Sequence, residues 1–439
     1  MKNIKRNSMI LAAILILTAA ASAEQEMTVE DAVRIGLEHN FDIRIARNDA
    51  RIAGNNNGKG TAGFLPTVDA LANYSVNKTD QTSTPPGAID FDNEGWNAQV
   101  SFNWTLFDGF KMFANKNRYS ALAELGDYQT RNIIENTVVQ ISRAYFDLVQ
   151  QEQLLDVARA TVEISEQRFN REKVRNELGG ASSTDLFNAQ VSFNNDRATL
   201  LNQQLRVDVA RQDLNILLGR EPSTPLTVAR QFAITPPAYE YDELLALTEE
   251  GNSILRLARL GKSLADHDVT LKRSEFLPRL SLNGSYGYSD RTATNYLPGF
   301  DEDIATEKTE SSIGLVLSMN IFNGRRNWID LQSARIEAKN RKLALDNTRN
   351  ELAGQVRTKL LTFRQRLELM TLEESNNEAA QQNLQLQVDR FEMGVAGSLE
   401  FRDAQVSFER AQTTLIVARY QARIAQLEIE QLIGAIQLD

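Results

Sequence analysis

Two halves of this chain carry the same text. Asp31-Ala-Val-Arg-Ile-Gly-Leu-Glu-His-Asn40 parallels Glu243-Leu-Leu-Ala-Leu-Thr-Glu-Glu-Gly-Asn252, and Phe64-Leu65-Pro66 returns as Phe276-Leu277-Pro278, both 212 positions on. Phe107-Asp108-Gly109 then matches Phe322-Asn323-Gly324, Asn188-Ala-Gln-Val-Ser-Phe193 matches Asp403-Ala-Gln-Val-Ser-Phe408, and Leu218-Gly219 matches Ile433-Gly434, now 215 apart. The offset changes only between the Leu-Pro and the Phe-Asp/Asn-Gly signals, where a loop is expected. An element written twice that cannot close on itself suggests a ring. The expected division is a first repeat at 24–220 with a β-hairpin at 67–107, a linker at 221–241 holding Pro222, Pro225, Pro236 and Pro237, and a second repeat at 242–439 with a β-hairpin at 279–322.

Residues 1–23 read as a secretory signal. Lys2, Lys5 and Arg6 precede an apolar run from Met9 to Ala20, and Ala21-Ser22-Ala23 is a small-residue cleavage site. That run is too short for a membrane anchor, and no other stretch approaches the roughly 20 apolar residues that a spanning helix needs. Cysteine is absent, which removes disulfides, thiolate metal sites and a lipidated N-terminal Cys. The net charge of −10 has the wrong sign for a nucleic-acid partner.

After Pro66 the sequence alternates. Val68, Ala70, Ala72, Tyr74 and Val76 fall on one face, with Asp69, Asn73, Ser75 and Asn77 on the other. Trp96, Ala98, Val100, Phe102, Trp104 and Leu106 likewise alternate with Asn97, Gln99, Ser101, Asn103 and Thr105. The second copy supplies Leu280, Leu282, Tyr286 and Tyr288 against Ser281, Asn283, Ser285 and Ser289, then Ile313, Leu315, Leu317, Met319 and Ile321 against Ser312, Ser318 and Asn320. Period two over about 10 residues is the signature of a transmembrane β-strand, apolar towards lipid and polar towards water. A soluble sandwich with one wet face is the rival for an isolated hairpin, but the export signal, the strand length and the small polar inner face favour a barrel. Four strands close no barrel, since bacterial barrels begin at about 8, so several chains must share one. The stretches 78–95 and 291–310, rich in Asp, Glu, Thr, Gly and Pro, are expected to be long external loops.

The rest reads as long helix. From 110 to 177 there is no proline and one glycine, Gly126, and 325–392 has none but Gly354. Helices of that size run about 100 Å. Ile134, Ile141, Leu148, Leu155, Val162 and Phe169 recur every seven residues with Val138 and Tyr145 between them, and Val356, Phe363, Met370, Leu384 and Phe391 keep the beat in the second copy, with Asn377 interrupting it. This is the coiled-coil repeat. Shorter helices are expected at 28–63, 184–219, 242–275 and 399–434, paired so that two together match one long helix; Gly54-Asn-Asn-Asn-Gly58-Lys-Gly60 is a stretch that should fray. Gly179-Gly180-Ala-Ser-Ser183 and Gly394-Val-Ala-Gly397-Ser398 offer glycine C-caps followed by serine N-caps, reversing the chain at the end far from the strands.

The tandem repeat, the Leu-Pro exit from helix to strand, the Phe-Asp/Asn-Gly turn from strand to helix and Arg390-Phe-Glu-Met-Gly394 followed by Glu400-Phe-Arg-Asp403-Ala-Gln are together specific, and through them the chain resembles the TolC-like outer-membrane efflux proteins, or outer membrane factors, over nearly its whole mature length. The resemblance implies a mostly α fold with a transmembrane β part: a homotrimer whose four strands per chain build one twelve-stranded β-barrel in the outer membrane of a Gram-negative bacterium, and whose helices build a coiled-coil α-barrel through the periplasm. It implies a passive exit duct of a tripartite efflux pump or type I secretion system, opened at its periplasmic tip by an adaptor (membrane fusion) protein and an inner-membrane transporter, and in contact with outer-membrane lipid. It also implies an acidic constriction just after the tip turns, where Glu400 and Asp403 stand in the second repeat and Asp185 and Asn188 in the first. A ring of carboxylates attracts cations and disfavours anions. Asp185 serves equally well as a first-turn acid favoured by the helix dipole, whereas Glu400 with Asp403 favours the ring. Adaptor docking would use Gly179, Ser183, Gly394 and Ser398, although such glycines also simply end helices. The Gly-Thr-Arg tip of relatives has Ala396 in place of its arginine, so a tethering salt bridge is expected to be missing or rebuilt.

Nothing here reads as an enzyme, and no cofactor or metal is expected. His39 and His267 are the only histidines and neither has metal-ligand spacing; there is no phosphate loop, nucleophile elbow or His-Glu-x-x-His. The rival from another class is a periplasmic coiled-coil adaptor or structural spacer without a membrane barrel. It would have no reason to present Trp96, Phe102, Trp104, Leu315 and Ile321 to solvent. Drugs, metal ions, a secreted protein and a polysaccharide remain open as cargo.

Overall fold

A computed structural model of the chain describes residues 26–79, 90–179, 182–230, 234, 239–297 and 300–436; the segment 1–23 expected as a signal lies outside them. The chain divides into two compact units, and each draws on both repeats. One contains the chain up to Ile45, Arg131–Asn252 and Glu351 onward; the other contains Ala46–Thr130 and Ser253–Asn350.

The second of these units holds the sheet, two hairpins side by side in the antiparallel order β1-β2-β3-β4, formed by β1 (Thr67–Thr79), β2 (Asp90–Asp108), β3 (Arg279–Leu297) and β4 (Phe300–Ser318). Register fixes the faces. Val100 lies opposite Ala70 and Tyr286, and Ser101 opposite Asp69 and Ser285. Directly paired residues point to the same side, so one face is aromatic and aliphatic while the other is Ser, Thr and Asn. Trp96, Val100, Ile313, Leu315 and Leu317 are all exposed within the chain.

Two strand boundaries differ from expectation. The stretch 291–310, expected to be a loop, is almost all strand, since β3 runs to Leu297 and β4 starts at Phe300. Its acidic composition hid alternating β-branched residues, among them Thr292 with Thr294 and Ile304 with Thr306, that pair well on a pleated surface. Likewise β1 continues to Thr79 and β2 begins at Asp90, which shortens the expected 78–95 loop. At the other end β4 stops at Ser318, so Met319 and Ile321 lie beyond the strand. On β2 a bulge between Thr105 and Phe107 shifts the register, placing Asp108 opposite Arg279 while Thr105 stays opposite Ser281. The extra residue reverses the alternation, so Asp108 joins the polar face instead of the apolar one.

Each strand-to-helix turn is strained in the same way. Gly109 and Phe110 have φ of 67° and 69°, and Gly324 and Arg325 both 68°. Asp108 Oδ1 then accepts from the Met112 amide at 3.1 Å, satisfying one free donor at the start of the helix that follows. The long helices match expectation to within a residue. They are Lys111–Glu177 and Arg326–Glu392, of 67 residues each, and we number the helices in chain order as α1 (Val29–His39), α2 (Phe41–Asn56), α3 (Lys59–Ala62), α4 (Lys111–Glu177), α5 (Ser183–Leu217), α6 (Tyr241–Gly251), α7 (Ser253–Ser274), α8 (Arg326–Glu392) and α9 (Ser398–Leu432).

The helices expected over 28–63 and 242–275 are each broken, and at equivalent residues. Asn40 Oδ1 accepts from the amides of Asp42 (2.9 Å) and Ile43 (3.2 Å), capping α2, while its Nδ2 donates to the Leu217 carbonyl at 2.8 Å. Asn252 Nδ2 donates to the Leu432 carbonyl at 2.9 Å. One amide therefore serves two helix ends at Asn40, a task no apolar residue can perform. The glycine that follows α5, Gly219, has φ 69° and sits so close to His39 that a Cβ would lie 2.5 Å from its carbonyl oxygen. The break after Asn56 falls in the glycine-rich stretch, and the counterpart 266–272 stays helical, both as expected.

The main core of the other unit is built from α4, α5 and the chain's start. Ile141, Tyr145, Phe146, Leu148 and Val149 pack with Val207, Leu214, Leu218 and Val228. Here the N-terminal segment pairs in parallel with the linker through Met27 and Val228, and the buried Tyr145 hydroxyl lies 3.0 Å from the Met27 carbonyl and 2.9 Å from that of Ala229. Burial, reinforced by the nearby Glu30 carboxylate, pushes the Tyr145 phenol up to about 12.

Candidate pore-entrance site

The two helix turns singled out from the sequence lie in the unit without the sheet. In the first, α4 ends at Glu177 and Gly179 adopts φ 76°, the left-handed conformation that closes helices. The N-cap of α5 is Ser182, with Ser183 the first helical residue. Asp185 amide donates to Ser182 Oγ at 3.2 Å and Ser182 Oγ donates to the Asp185 carboxylate at 2.8 Å. In the second turn Gly394 adopts φ 73°, and the N-cap of α9 is Gly397 in place of the expected serine. Gly397 amide donates to Glu400 Oε2 at 3.1 Å. Asp185 and Glu400 thus both sit in caps, on exposed first turns.

One helical turn further on, Asp403 and Asn188 are exposed, and neither side chain has a polar partner among the described residues. Asp185 with Asn188 and Glu400 with Asp403 are therefore matched i, i+3 pairs, each on one side of its helix. Gly179, Gly394 and Ser183 are exposed as well, but Ser398 is drawn inward, its Oγ accepting from Arg168 Nε at 3.1 Å.

That arginine belongs to a seam the heptad pattern did not reveal. Up to Leu155 the marked residues Val138, Ile141, Tyr145, Leu148 and Leu155 are buried, together with unmarked neighbours such as Val139, Phe146 and Val149; beyond it Val162 and Phe169 are only half-buried, and Thr161, Ser165, Arg168 and Glu172 turn inward. Three charged residues are buried there, Arg168, Glu172 and Asp196. Arg402 of α9 grips Asp196 of α5 through two hydrogen bonds of 2.8 Å and also donates to Gln405 Oε1 at 3.1 Å, while Gln405 Nε2 donates to the Thr161 carbonyl at 3.2 Å. Arg171 donates to the Phe391 carbonyl at 3.0 Å and lies over its ring, 4.4 Å from the centroid. Burial, with Arg402 nearby, lowers the Arg168 guanidinium. Burial beside Asp196 raises the Glu409 carboxyl. Ala396, at the place of the missing arginine, is packed with Leu384, Phe391, Phe401 and Ala404. The ties between helices are made instead by Arg168, Arg171 and Arg402, which the sequence gave no periodic reason to place inside.

Sequence reading also passed over the apolar residues at the turns. Leu178 (81% exposed), Met393 (70%), Val395 (67%) and Leu399 (74%) stand in solvent on the two turns. Large apolar side chains grouped on an exposed turn mark a surface made for a partner. Among the described residues no group of His, Asp and Glu is placed to hold a metal ion, and no helix is long and apolar enough to cross a membrane.

Comparison with known proteins identifies the family and the fold. The family described as outer membrane efflux protein matches residues 33–220 and 244–435. Over 85% of its length the chain is 21% identical to the outer membrane protein TolC of Vibrio cholerae serotype O1, covering 83% of that protein. It is 25% identical to the alkaline protease secretion protein AprF of Pseudomonas aeruginosa, with 74% of this chain and 68% of that protein aligned. In fold it is similar to the CmeC outer membrane channel of Campylobacter jejuni, with a TM-score of 0.77 at 14% identity over 92% of this chain and 85% of that one.

Proposed function

This chain belongs to the outer membrane efflux protein family and is an outer-membrane channel, and we propose that three copies form an exit duct whose periplasmic end is ringed by the acids of the helix turns and docked to an adaptor and an inner-membrane transporter. The sheet carries the reading. It has an exposed apolar face, a small polar face and two edges, β1 and β4, that find no partner strand among the described residues. An open edge in lipid leaves backbone groups unsatisfied at several kcal/mol each, so a membrane-embedded sheet of this kind must be completed by other chains. Twelve strands from three copies suffice for a water-filled bore. The rival periplasmic spacer loses its support, because a protein of that kind would keep the band from Trp96 to Leu317 covered.

At the tip, Glu400, Asp403, Asp185 and Asn188 would be repeated threefold around the axis. Asp403 carries most of the proposed selectivity, since its carboxylate is exposed and has no other role in the described structure, whereas Asp185 and Glu400 are also engaged in capping. The apolar residues Leu178, Met393, Val395 and Leu399, with the glycines Gly179 and Gly394, would form the adaptor contact. No reacting group is required of the chain; the energy comes from the transporter. In planar-bilayer recordings, Asp403→Asn with Glu400→Gln is expected to shift the reversal potential towards that of a non-selective pore and to weaken block by divalent cations. Asp403→Asn alone should give most of the shift. Unchanged reversal potentials in the double variant would refute the ring.

A further inference from the structure

The four strand–helix junctions of the sheet unit line an open cavity of about 700 Å³. Its wall contains Thr105, Asp108 and Lys111 from the end of β2 and the start of α4, and Glu275, Arg279 and Asn327 from the equivalent junctions of the second repeat. The bulge in β2 is what brings Asp108 to this side, and the pairing of Arg279 with both Asp108 and Ser318 puts the cavity on the polar face of the sheet. For the proposed duct, on which this inference rests, that face is the lumen.

The charged groups of this wall are not equally available. Asp108 Oδ1 already accepts from the Met112 amide, and Glu275 Oε1 accepts from Lys272 Nζ at 3.1 Å, which holds that ammonium above its ordinary range. The Asn327 Nδ2 is likewise engaged, donating to the Glu275 carbonyl at 3.1 Å. The cations are the reverse. Arg279 donates only to the neutral Thr105 hydroxyl, at 3.0 Å, and the Lys111 ammonium has no partner among the described residues. Arg279 and Lys111 therefore keep most of their donors unfilled, a guanidinium fork and an ammonium, beside carboxylates of Asp108 and Glu275 that each have one oxygen engaged. We infer that this cavity is a binding site for a small oxyanion, a solute bearing carboxylate or phosphate groups, held by Lys111 and Arg279 on the lumenal face at the neck between strands and helices. Such a site would make the neck discriminate by charge in the sense opposite to the acidic tip.

The test uses the full chain in detergent and in bilayers, in buffer free of divalent metal, with inorganic tripolyphosphate as the phosphate probe and citrate as the carboxylate probe. Titration calorimetry should detect binding of at least one probe to the wild type, and in conducting channels the same probe should block current. Lys111→Gln with Arg279→Gln is expected to weaken binding and block at least tenfold, Lys111→Gln alone to give a partial loss, and Lys111→Arg with Arg279→Lys to preserve them. Absence of calorimetric binding to the wild type, or equal binding by the double Gln variant, would overturn the site. A protein that binds the probe through these residues yet never conducts would leave the site standing and defeat the duct.

Discussion

The buried pair Arg402–Asp196 allows a sharp test of how the helices at the proposed entrance are held. The two side chains are 18% and 9% exposed and are joined by both arms of the guanidinium. Arg402→Leu leaves the Asp196 carboxylate without its hydrogen-bonded partner, with only the Arg168 guanidinium nearby as countercharge and beside a Glu409 carboxyl that burial already raises. Removal of one partner from a buried pair costs about 3–5 kcal/mol, and loss of the Gln405 hydrogen bond adds about 1. The lower end applies here, because Arg402 keeps some water; about 3 kcal/mol corresponds to roughly two orders of magnitude in a local opening equilibrium. Asp196→Ala with Arg402→Leu is a different case. The repeat-equivalent positions are Ala411 and Phe187, so the chain already tolerates an apolar residue at each place in its other half. The double variant should lie within about 1.5 kcal/mol of wild type, as apolar replacement of buried pairs commonly does. Hydrogen exchange on the detergent-solubilised protein reads the difference: amides in the first three turns of α9 should exchange about a hundredfold faster in Arg402→Leu and near the wild-type rate in the double variant. Equal exchange in the single and double variants would refute the account, since it would show that the unpaired charge costs nothing.

Two further outcomes follow from the same geometry. Tyr145→Phe removes the hydroxyl that serves the Met27 and Ala229 carbonyls and should destabilise the protein by about 1 kcal/mol in thermal unfolding near neutral pH. Because the folded protein holds the phenol near 12 against an ordinary value of 10, the neutral form is the one favoured by folding; the wild-type advantage is complete below pH 10 and fades as pH rises through 12, and a gap between wild type and variant that persists undiminished above pH 12 would contradict this. On the sheet, Val100→Arg puts a cation on the apolar face and should cost about 2–4 kcal/mol or block membrane assembly, whereas Ser101→Arg, on the polar face, should fold and change conductance. Equal effects of the two, scored by heat-modifiable migration and by single-channel current, would mean that the face assignment is wrong.

Much of the architecture was legible because it is periodic. Alternation over β2 and a sevenfold beat over α4 extend long enough that a single exception does not blur them, and the two copies check each other. The breaks at Asn40 and Asn252 were hidden for the opposite reason. The local sequence on either side of Asn40 is helical, and what interrupts it is an amide reaching the Leu217 carbonyl 177 residues away. A sign was present: both matched decapeptides end in Asn, a residue that favours caps over helix interiors. The stretch 291–310 failed because acidity was read as loop when the spacing of its β-branched residues already described a strand. At the candidate site the acids and glycines could be placed by motif, but Arg168, Glu172, Asp196 and Arg402 could not. Burial of a charge is decided by whether a partner waits across the seam, and a single helix's pattern contains no information about that partner.

The asymmetry of that seam bears on the entrance itself. The turns are matched in backbone, with glycines at positive φ, capping acids and an exposed apolar residue in each. Behind them the repeats diverge: Asp196 and Arg402 correspond to Ala411 and Phe187, and Arg168 and Glu172 to Asn383 and Gln387. An ionic tie between α5 and α9 therefore occurs once per chain and not twice. Apolar packing tolerates sliding by fractions of a turn with gradual loss, whereas a two-armed arginine grip is satisfied in one register only. The divergence thus gives the helix pairs of the two repeats different freedom at their turns, and in a ring of three chains it would convert six similar hairpins into three of each kind.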